Sequence, residues 1–331
     1  MARADLRRFA PVAAVGLLLL VYPFVVKDAF WQNVAVLALV SASAAAAWNL
    51  LGGIAGQVSF GHSIFYGTGA YTTGYLLVRY GLSPWVGMAA GCLVAVALGI
   101  VIGFPVFRLR SHYFSIATIA MQQVIFIIVV NNKALGAATG IELPIREASL
   151  ANLQFSTRDL LPYHLIALAL LGVSSLAIWL FMQGKAGAYV KAIRDDEDVA
   201  RAMGVPVRRY KLYALALSAA ITSLAGSYYG MYSLFIDPNV VLSLNLSIAI
   251  VLVGVLGGAG SLWGPLVGAW VLQVIQEETR VRLSGAGNAL DLVIYGLLVM
   301  LIAVVEPAGL IGLGKRLGRR LPARRRPGRQ R

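Results

Sequence analysis

Long stretches without Asp, Glu, Lys or Arg decide what this chain can become. Residues 30–78 hold none, and neither do 80–107, 111–132, 160–184, 212–236 or 238–276. Soluble domains hold about 25% charged residues. Here the share is 13% and the mean hydropathy is +0.77. A helix crosses the hydrocarbon core with about 20 mostly apolar residues, so the longest runs hold two helices each, joined by turns without charge. The expected fold is all-α: a polytopic integral membrane protein of about ten spans. These fall near residues 9–26, 31–51, 64–78, 84–105, 112–131, 161–182, 212–235, 240–256, 265–277 and 290–305, with glycine-rich discontinuous segments between some of them.

The first run follows "MARADLRR", which resembles the basic start of a signal peptide. The run is longer than the usual apolar region of about 7–15 residues and leads to no small-x-small cleavage site, so it reads as an uncleaved first helix. Cys92 is the only cysteine. It can form no internal disulfide, and in an apolar run it reads as a small packing residue.

Charge orients these spans. With the N-terminus in the cytoplasm, the inner segments carry 21 of the 28 basic residues, and Lys27, Arg79, Lys133, Arg146, Arg158, Arg280 and Arg282 are left outside. That bias follows the positive-inside rule, and an even span count puts both termini in the cytoplasm. The net charge of +14 therefore needs no nucleic acid. The tail at 315–331 is rich in arginine and suits an anionic lipid surface.

Two segments interrupt the apolar pattern, "GGIAGQVSFGHSIFYGTGAY" at 52–71 and "GGAGSLWGPLVGAW" at 257–270. Each has a Gly-Gly pair, then Ala-Gly, then an aromatic residue before Gly. Gly257, Gly258 and Gly260 open the second. Clustered glycine marks close helix packing or a broken helix, and irregular backbone at membrane depth must be enclosed by protein or line a cavity. The polar residues Gln57, Ser59, His62 and Ser63 thus either cap half-helices or line the path of a polar solute, with Phe60 and Gly61 marking the break itself. The three histidines lie in different segments without ligand spacing, so no metal site is expected. No catalytic set is gathered either.

One compact charged island, "RDDEDVARAMGVP" at 194–206, stands apart. It reads as a short helix with Asp195 as N-cap, acids in its first turn, Gly204 in the left-handed position after its end, and Pro206 beyond. Val199, Ala202 and Met203 share one face. A helix of two turns is marginal alone and needs a surface to dock on, either the protein's own helix ends or a cytoplasmic partner.

"GKAGAYVKAIRDDEDVARAMGVPVRRYKLYALALSAAITSLAGSYYG" (184–230), "WNLLGGIAGQVSFGHSIFYGTGAY" (48–71) and "VLVGVLGGAGSLWGPLVGA" (251–269) resemble, in the same order, the signatures of branched-chain amino-acid ABC transporter permeases of the LivM/LivH type. The resemblance implies a coupling helix seated in a groove of an ATPase subunit, with Glu197, Ala200 and Gly204 at the matching positions. Arg194, Val199, Ala202 and Met203 join that coupling set. The island then lies in a cytoplasmic loop, 183–211, of a permease domain at 1–314, with 315–331 as a basic tail. The resemblance further implies an inner (plasma) membrane location, two ATP-binding subunits, a second permease chain that is a paralogue, and an extracytoplasmic solute-binding protein.

The chain carries no complete phosphate-binding loop. Gly184-Lys185 is followed by Ala186, and Gly309…Gly314-Lys315 by Arg316, where the metal-binding Ser or Thr must stand. No cofactor is expected on this chain, and ATP with Mg is expected on partner subunits. The expected function is the permease of an ATP-driven importer for branched-chain or other hydrophobic amino acids. The alternatives are a permease for another small polar solute, such as urea or amides, and an ion-coupled secondary transporter. The latter is disfavoured because the carboxylates fall near span ends or in loops rather than at mid-membrane.

Overall fold

The computed structural model describes residues 2–109, 111–156 and 159–283, with 296, 297, 309, 310 and 312. The chain runs α1 (Ala2–Val25), α2 (Ala29–Asn49), a π-helical turn (Leu50–Ile54), α3 (His62–Tyr80), α4 (Pro84–Val106) and α5 (Ser111–Val130). Two 3-10 turns and β1 (Ile141–Glu142) precede α6 (Leu161–Gln183), α7 (Lys185–Asp195) and α8 (Glu197–Ala202). There follow α9 (Val207–Ser233), β2 (Phe235–Ile236), α10 (Pro238–Val241), α11 (Leu244–Gly258) and α12 (Gly264–Leu283). The first nine expected spans fall on helices. The tenth, at 290–305, and the tail at 315–331 lie outside the described residues.

Among the described residues, five helical stretches are long and apolar enough to cross a membrane: Ala29–Ile54, Pro84–Val106, His112–Val130, Leu161–Gln183 and Pro238–Gly258. α3 and α9 fall outside this set because serine, threonine, glycine and tyrosine dilute their apolar residues. Each is packed closely against other helices, so neither needs a wholly apolar surface. The all-α expectation has one small correction, since β1 and β2 pair antiparallel, Ile141 opposite Ile236 and Glu142 opposite Phe235.

Local chemistry sets the helix ends. Asp28 Oδ1 accepts from the Phe30 and Trp31 amides at the start of α2, supplying two of the orphan N–H groups a helix start exposes. Ser243 caps α11 through the Leu246 amide. Pro84 and Pro162 stand at helix starts, where the missing N–H is harmless.

α2 forms the centre, buried almost without interruption from Val34 to Asn49. Its Ala-rich second half lets α6, α9, α11 and α12 pack against it. α4, α5 and α6 do the reverse and open wide apolar faces, with Leu93 73%, Ile116 63% and Val173 59% exposed. So much contiguous apolar surface is untenable in water and natural against lipid tails. The protein is membrane-embedded.

Contacts sort the connections into two ends. At one end, Trp85 Nε1 and Ser83 Oγ donate to the Leu150 and Ala151 carbonyls, Arg146 reaches the Gly81 carbonyl, and β1 joins β2. At the other, the two glycine-rich breaks meet the α7–α8 loop, and Arg208 lies over Phe104 with its guanidinium 3.3 Å from the ring centroid.

Candidate coupling and translocation site

Both breaks have the same build. α2 continues through its π-helical turn to Ile54 and gives way to an irregular stretch before α3, and α11 ends at Gly258 with an irregular stretch before α12. The glycine of each Ala-Gly pair is left-handed, φ +71° at Gly56 and +83° at Gly260, a conformation open mainly to glycine. The glycine after each aromatic starts the next helix, Gly61 as the N-cap of α3 and Gly264 as the first residue of α12. The echo in the sequence is therefore an echo in structure.

The two breaks also touch. Asn49, buried at the end of α2, accepts from the Gly260 amide through Oδ1 (2.7 Å) and donates through Nδ2 to the Ser261 carbonyl (2.8 Å). A β-carbon at Gly53 would lie 2.5 Å from the Gly260 nitrogen, so only glycine lets the backbones approach. Trp48, one residue earlier, donates from Nε1 to the Ser59 carbonyl (2.9 Å) and fills the space beside Gly52 and Gly254.

The polar residues of the first break are tied in rather than exposed. Ser218 Oγ donates to the Ala47 carbonyl (2.7 Å) and lies 2.8 Å from His62 Nε2. A hydroxyl has one proton, so Nε2 is the donor in that pair, and Nδ1 is left buried without a partner. Ser63 N donates to Ser247 Oγ, which bonds Ser63 Oγ (2.8 Å). Phe60 N donates to Thr118 Oγ1, and the Gly61 amide to Ser59 Oγ. Gln57 and Ser59 are buried. Beside Ser59, Gly61 and Thr118 lies an otherwise apolar cavity of ≈20 Å³ walled by Phe65, Phe114 and Leu215, room for about one water.

The island is two helices. α7 takes Arg194 and Asp195 into its last turn, and Asp196 caps α8 through the Asp198 and Val199 amides. This corrects the expected cap at Asp195 by one residue, because the helix before it uses Asp195 to finish its own turn. Gly204 is left-handed, φ +84°, as its position after the helix requires. Ala200 is buried against Ile193 and Val207. Val199, Ala202 and Met203 point away, with Val199 58% and Met203 80% exposed. Glu197 faces inward to Lys211 at the start of α9 (2.6 Å) and also pairs with Arg201 (2.9 Å). Beside α8 opens a cleft of ≈510 Å³ lined in part by Phe104, Phe107, Arg201 and Arg208.

Arg194 extends from the end of α7 across both breaks. A β-carbon at Gly56 would lie 3.1 Å from its Cγ, and one at Gly260 3.0 Å from its Nη1. Of the residues singled out in the sequence, the structure thus gathers Arg194, Gly258, Gly260 and the first break at one end of the bundle. It keeps Val199, Ala202 and Met203 on the surface beyond them. Sequence reasoning missed Trp48, Asn49, Thr118, Lys211, Ser218 and Ser247. Asn49 and Lys211 left a signal, a lone amide closing an Ala-rich apolar run and a lysine leading into an apolar helix.

Residues 30–304 match the family model described as the branched-chain amino acid transport system permease component. The chain is 28% identical over 322 residues to the high-affinity branched-chain amino acid transport system permease protein LivM of Escherichia coli, covering 91% of this chain and 74% of that one. It is 30% identical to the LivM protein of Salmonella typhimurium, over 80% of this chain and 65% of that one. The fructose import permease protein FrcC of Rhizobium meliloti is 28% identical over 70% of this chain and 65% of its own. No solved structure matches the chain.

Proposed function

The chain belongs to the branched-chain amino acid transport system permease family, and from that premise we propose that it is the membrane-spanning subunit of an ATP-driven importer for branched-chain or other hydrophobic amino acids. One observation carries the mechanism. α8 holds a small apolar face, Val199, Ala202 and Met203, out in solvent while Glu197 and the buried Lys211 bind the same helix to α9. An exposed face on an anchored helix suits a groove on a partner. ATP and Mg belong to two ATPase subunits that this face meets, and their motion enters the bundle through α7–α8.

Residues 1–314 form the permease domain, with about ten spans in the inner membrane, and 315–331 a basic tail. α3, α9 and α12 join the five apolar helices as spans enclosed by neighbours. The end that holds the breaks and α7–α8 faces the cytoplasm, as do both termini. A second permease chain completes the pathway beside Gln57, Ser59 and His62, and an extracytoplasmic solute-binding protein delivers substrate to the opposite end, where residues 133–156 and β2 lie.

The test is uptake of labelled leucine into vesicles holding the assembled importer. Uptake that requires ATP and the ATPase subunits supports this function. Uptake driven by an ion gradient without them overturns it. A second reading, import of another small polar solute, has one observation in its favour: the fructose permease relative matches at the same 28% identity as LivM of Escherichia coli. Titrating the partner binding protein with leucine, urea, amides and fructose decides between the two.

A further inference from the structure

We propose that Arg194 is a positioning residue that makes the two glycine-rich breaks move as one joint under the α7–α8 loop. The inference rests on the importer function above but adds to it, because it gives the exposed side chain of Arg194 the two breaks, rather than an ATPase groove, as its contact.

The geometry is specific. The aliphatic stem of Arg194 lies on Gly56 and its guanidinium on Gly260, two positions 204 residues apart in sequence. Both are left-handed glycines two residues beyond a helical stretch, Gly56 after Ile54 and Gly260 after Gly258. The C-terminal ends of two helices therefore converge under one cation. Helix C-termini carry partial negative charge and unsatisfied carbonyls, so a guanidinium is favoured there. Among the described residues the ion pairs of the loop use Glu197, Asp198, Arg201 and Lys211. Arg194 is in none of them, and no acid competes for it with the two breaks.

The joint is already clamped from below. Asn49 holds Gly260 and Ser261 from the end of α2, and the Gly53 backbone lies against Gly260 without room for a β-carbon. Arg194 adds the upper contact. α7 in turn runs into α8, whose first residue is fixed to α9 through Lys211. α7 also packs against the π-helical turn of the first break, but Arg194 is the side chain that carries a displacement of the loop to both breaks, and Asn49 keeps them aligned as they follow.

The experiment uses the full importer, reconstituted with its ATPase subunits, and reads three quantities: co-purification of those subunits, ATP hydrolysis, and substrate taken up per ATP. Arg194→Ala is expected to keep the subunits bound and hydrolysis running, while uptake per ATP falls about tenfold, within the usual range of coupling between sites. Arg194→Lys keeps the stem on Gly56 but loses the planar fork on Gly260, and is expected to fall between. Loss of packing alone lowers hydrolysis and uptake together and leaves their ratio unchanged, which would overturn the proposal. Release of the ATPase subunits by Arg194→Ala would also overturn it, since Arg194 would then be a docking residue.

A second measurement needs no Arg194 variant. Spin labels at Val58 and Leu262, which are 37% and 39% exposed on the two breaks, are introduced in a Cys92→Ser background. Their separation is expected to stay constant between nucleotide-free and ATP-bound importer, and a distance that changes with nucleotide overturns the single joint. A wild-type complex that transports without ATPase subunits overturns the importer function itself. A coupled wild type with an indifferent Arg194→Ala overturns only this inference.

Discussion

Lys211 carries its ammonium into a place where only 2% of the side chain meets solvent, and among the described residues its ion-pair partner is Glu197 at 2.6 Å. Removing one member of such a pair costs more than the pair is worth, because the other charge is left buried without compensation. Glu197→Gln is expected to destabilise the protein in detergent by about 3 kcal/mol and to raise amide exchange across α8. Lys211→Met, which keeps the stem and deletes the charge, should restore most of that loss when combined with Glu197→Gln. Thermal unfolding of the two singles and the double checks this, and an additive double would show that the pair is not coupled. The glycines invite a second comparison. A β-carbon at Gly257 would stand 1.7 Å from the Gly264 carbonyl oxygen, which is backbone and cannot swing aside, whereas at Gly61 the nearest atom is 3.3 Å away. Gly257→Ala should therefore abolish or sharply reduce correctly inserted protein, while Gly61→Ala is tolerated. Expression and gel-filtration profiles of the two variants decide it, with equal yields as the outcome that refutes the difference.

Among the elements, α8 is the one whose two faces make opposite predictions. Met203→Asp puts a charge on the exposed apolar face, and if that face seats in an ATPase groove the cost is an unpaired buried charge of several kcal/mol, about a hundredfold or more in affinity. Arg201 is itself 62% exposed, bridging Glu197 and Asp198, and such surface pairs contribute about 1 kcal/mol or less. Co-purification of ATPase subunits should be lost with Met203→Asp and kept with Arg201→Ala, and equal mild effects would make α8 an ordinary solvated turn. Much of this element was legible beforehand. The acids, the spacing of Val199, Ala202 and Met203, and Gly204 are local signals, and local chemistry dictates a capped turn of helix. The cap slipped from Asp195 to Asp196 because consecutive acids offer interchangeable caps and the choice depends on where α7 stops. The repeated Gly-Gly and Ala-Gly pattern pointed to two related segments, either closely packed or broken, and the left-handed glycines that make them breaks appear only in the structure. Their meeting at Asn49 and Arg194 was not legible, since contacts across more than 200 residues leave no periodicity in the chain. Nor was the role of Lys211, which reads as one more inner charge until α8 is seen to cover it.

At the scale of the whole molecule, the charge-based topology places 27–30, 79–83, 132–160 and 236–239 on one side and the two breaks, 106–111 and 183–211 on the other. The structure brings together segments of the same set. β1 pairs with β2, Trp85 and Ser83 bond the segment near Leu150, Arg208 meets Phe104, and Arg194 spans the two breaks. Which end faces the cytoplasm is a separate question. Basic residues decide that by their cost of translocation, and they favour the α7–α8 end. Ile145 at one end is 86% exposed, and the Asp198 side chain at the other is 87% exposed and makes a surface pair with Arg201. Single cysteines at these two positions, in a Cys92→Ser background, should therefore insert normally and react freely wherever reagent can reach. A membrane-impermeant maleimide added to intact spheroplasts is expected to label Ile145→Cys at once and Asp198→Cys only after the membrane is permeabilised. Labelling of both from outside would end the topology. The reverse pattern would keep the alternation of spans and invert the protein, placing α8 where no ATPase could reach it.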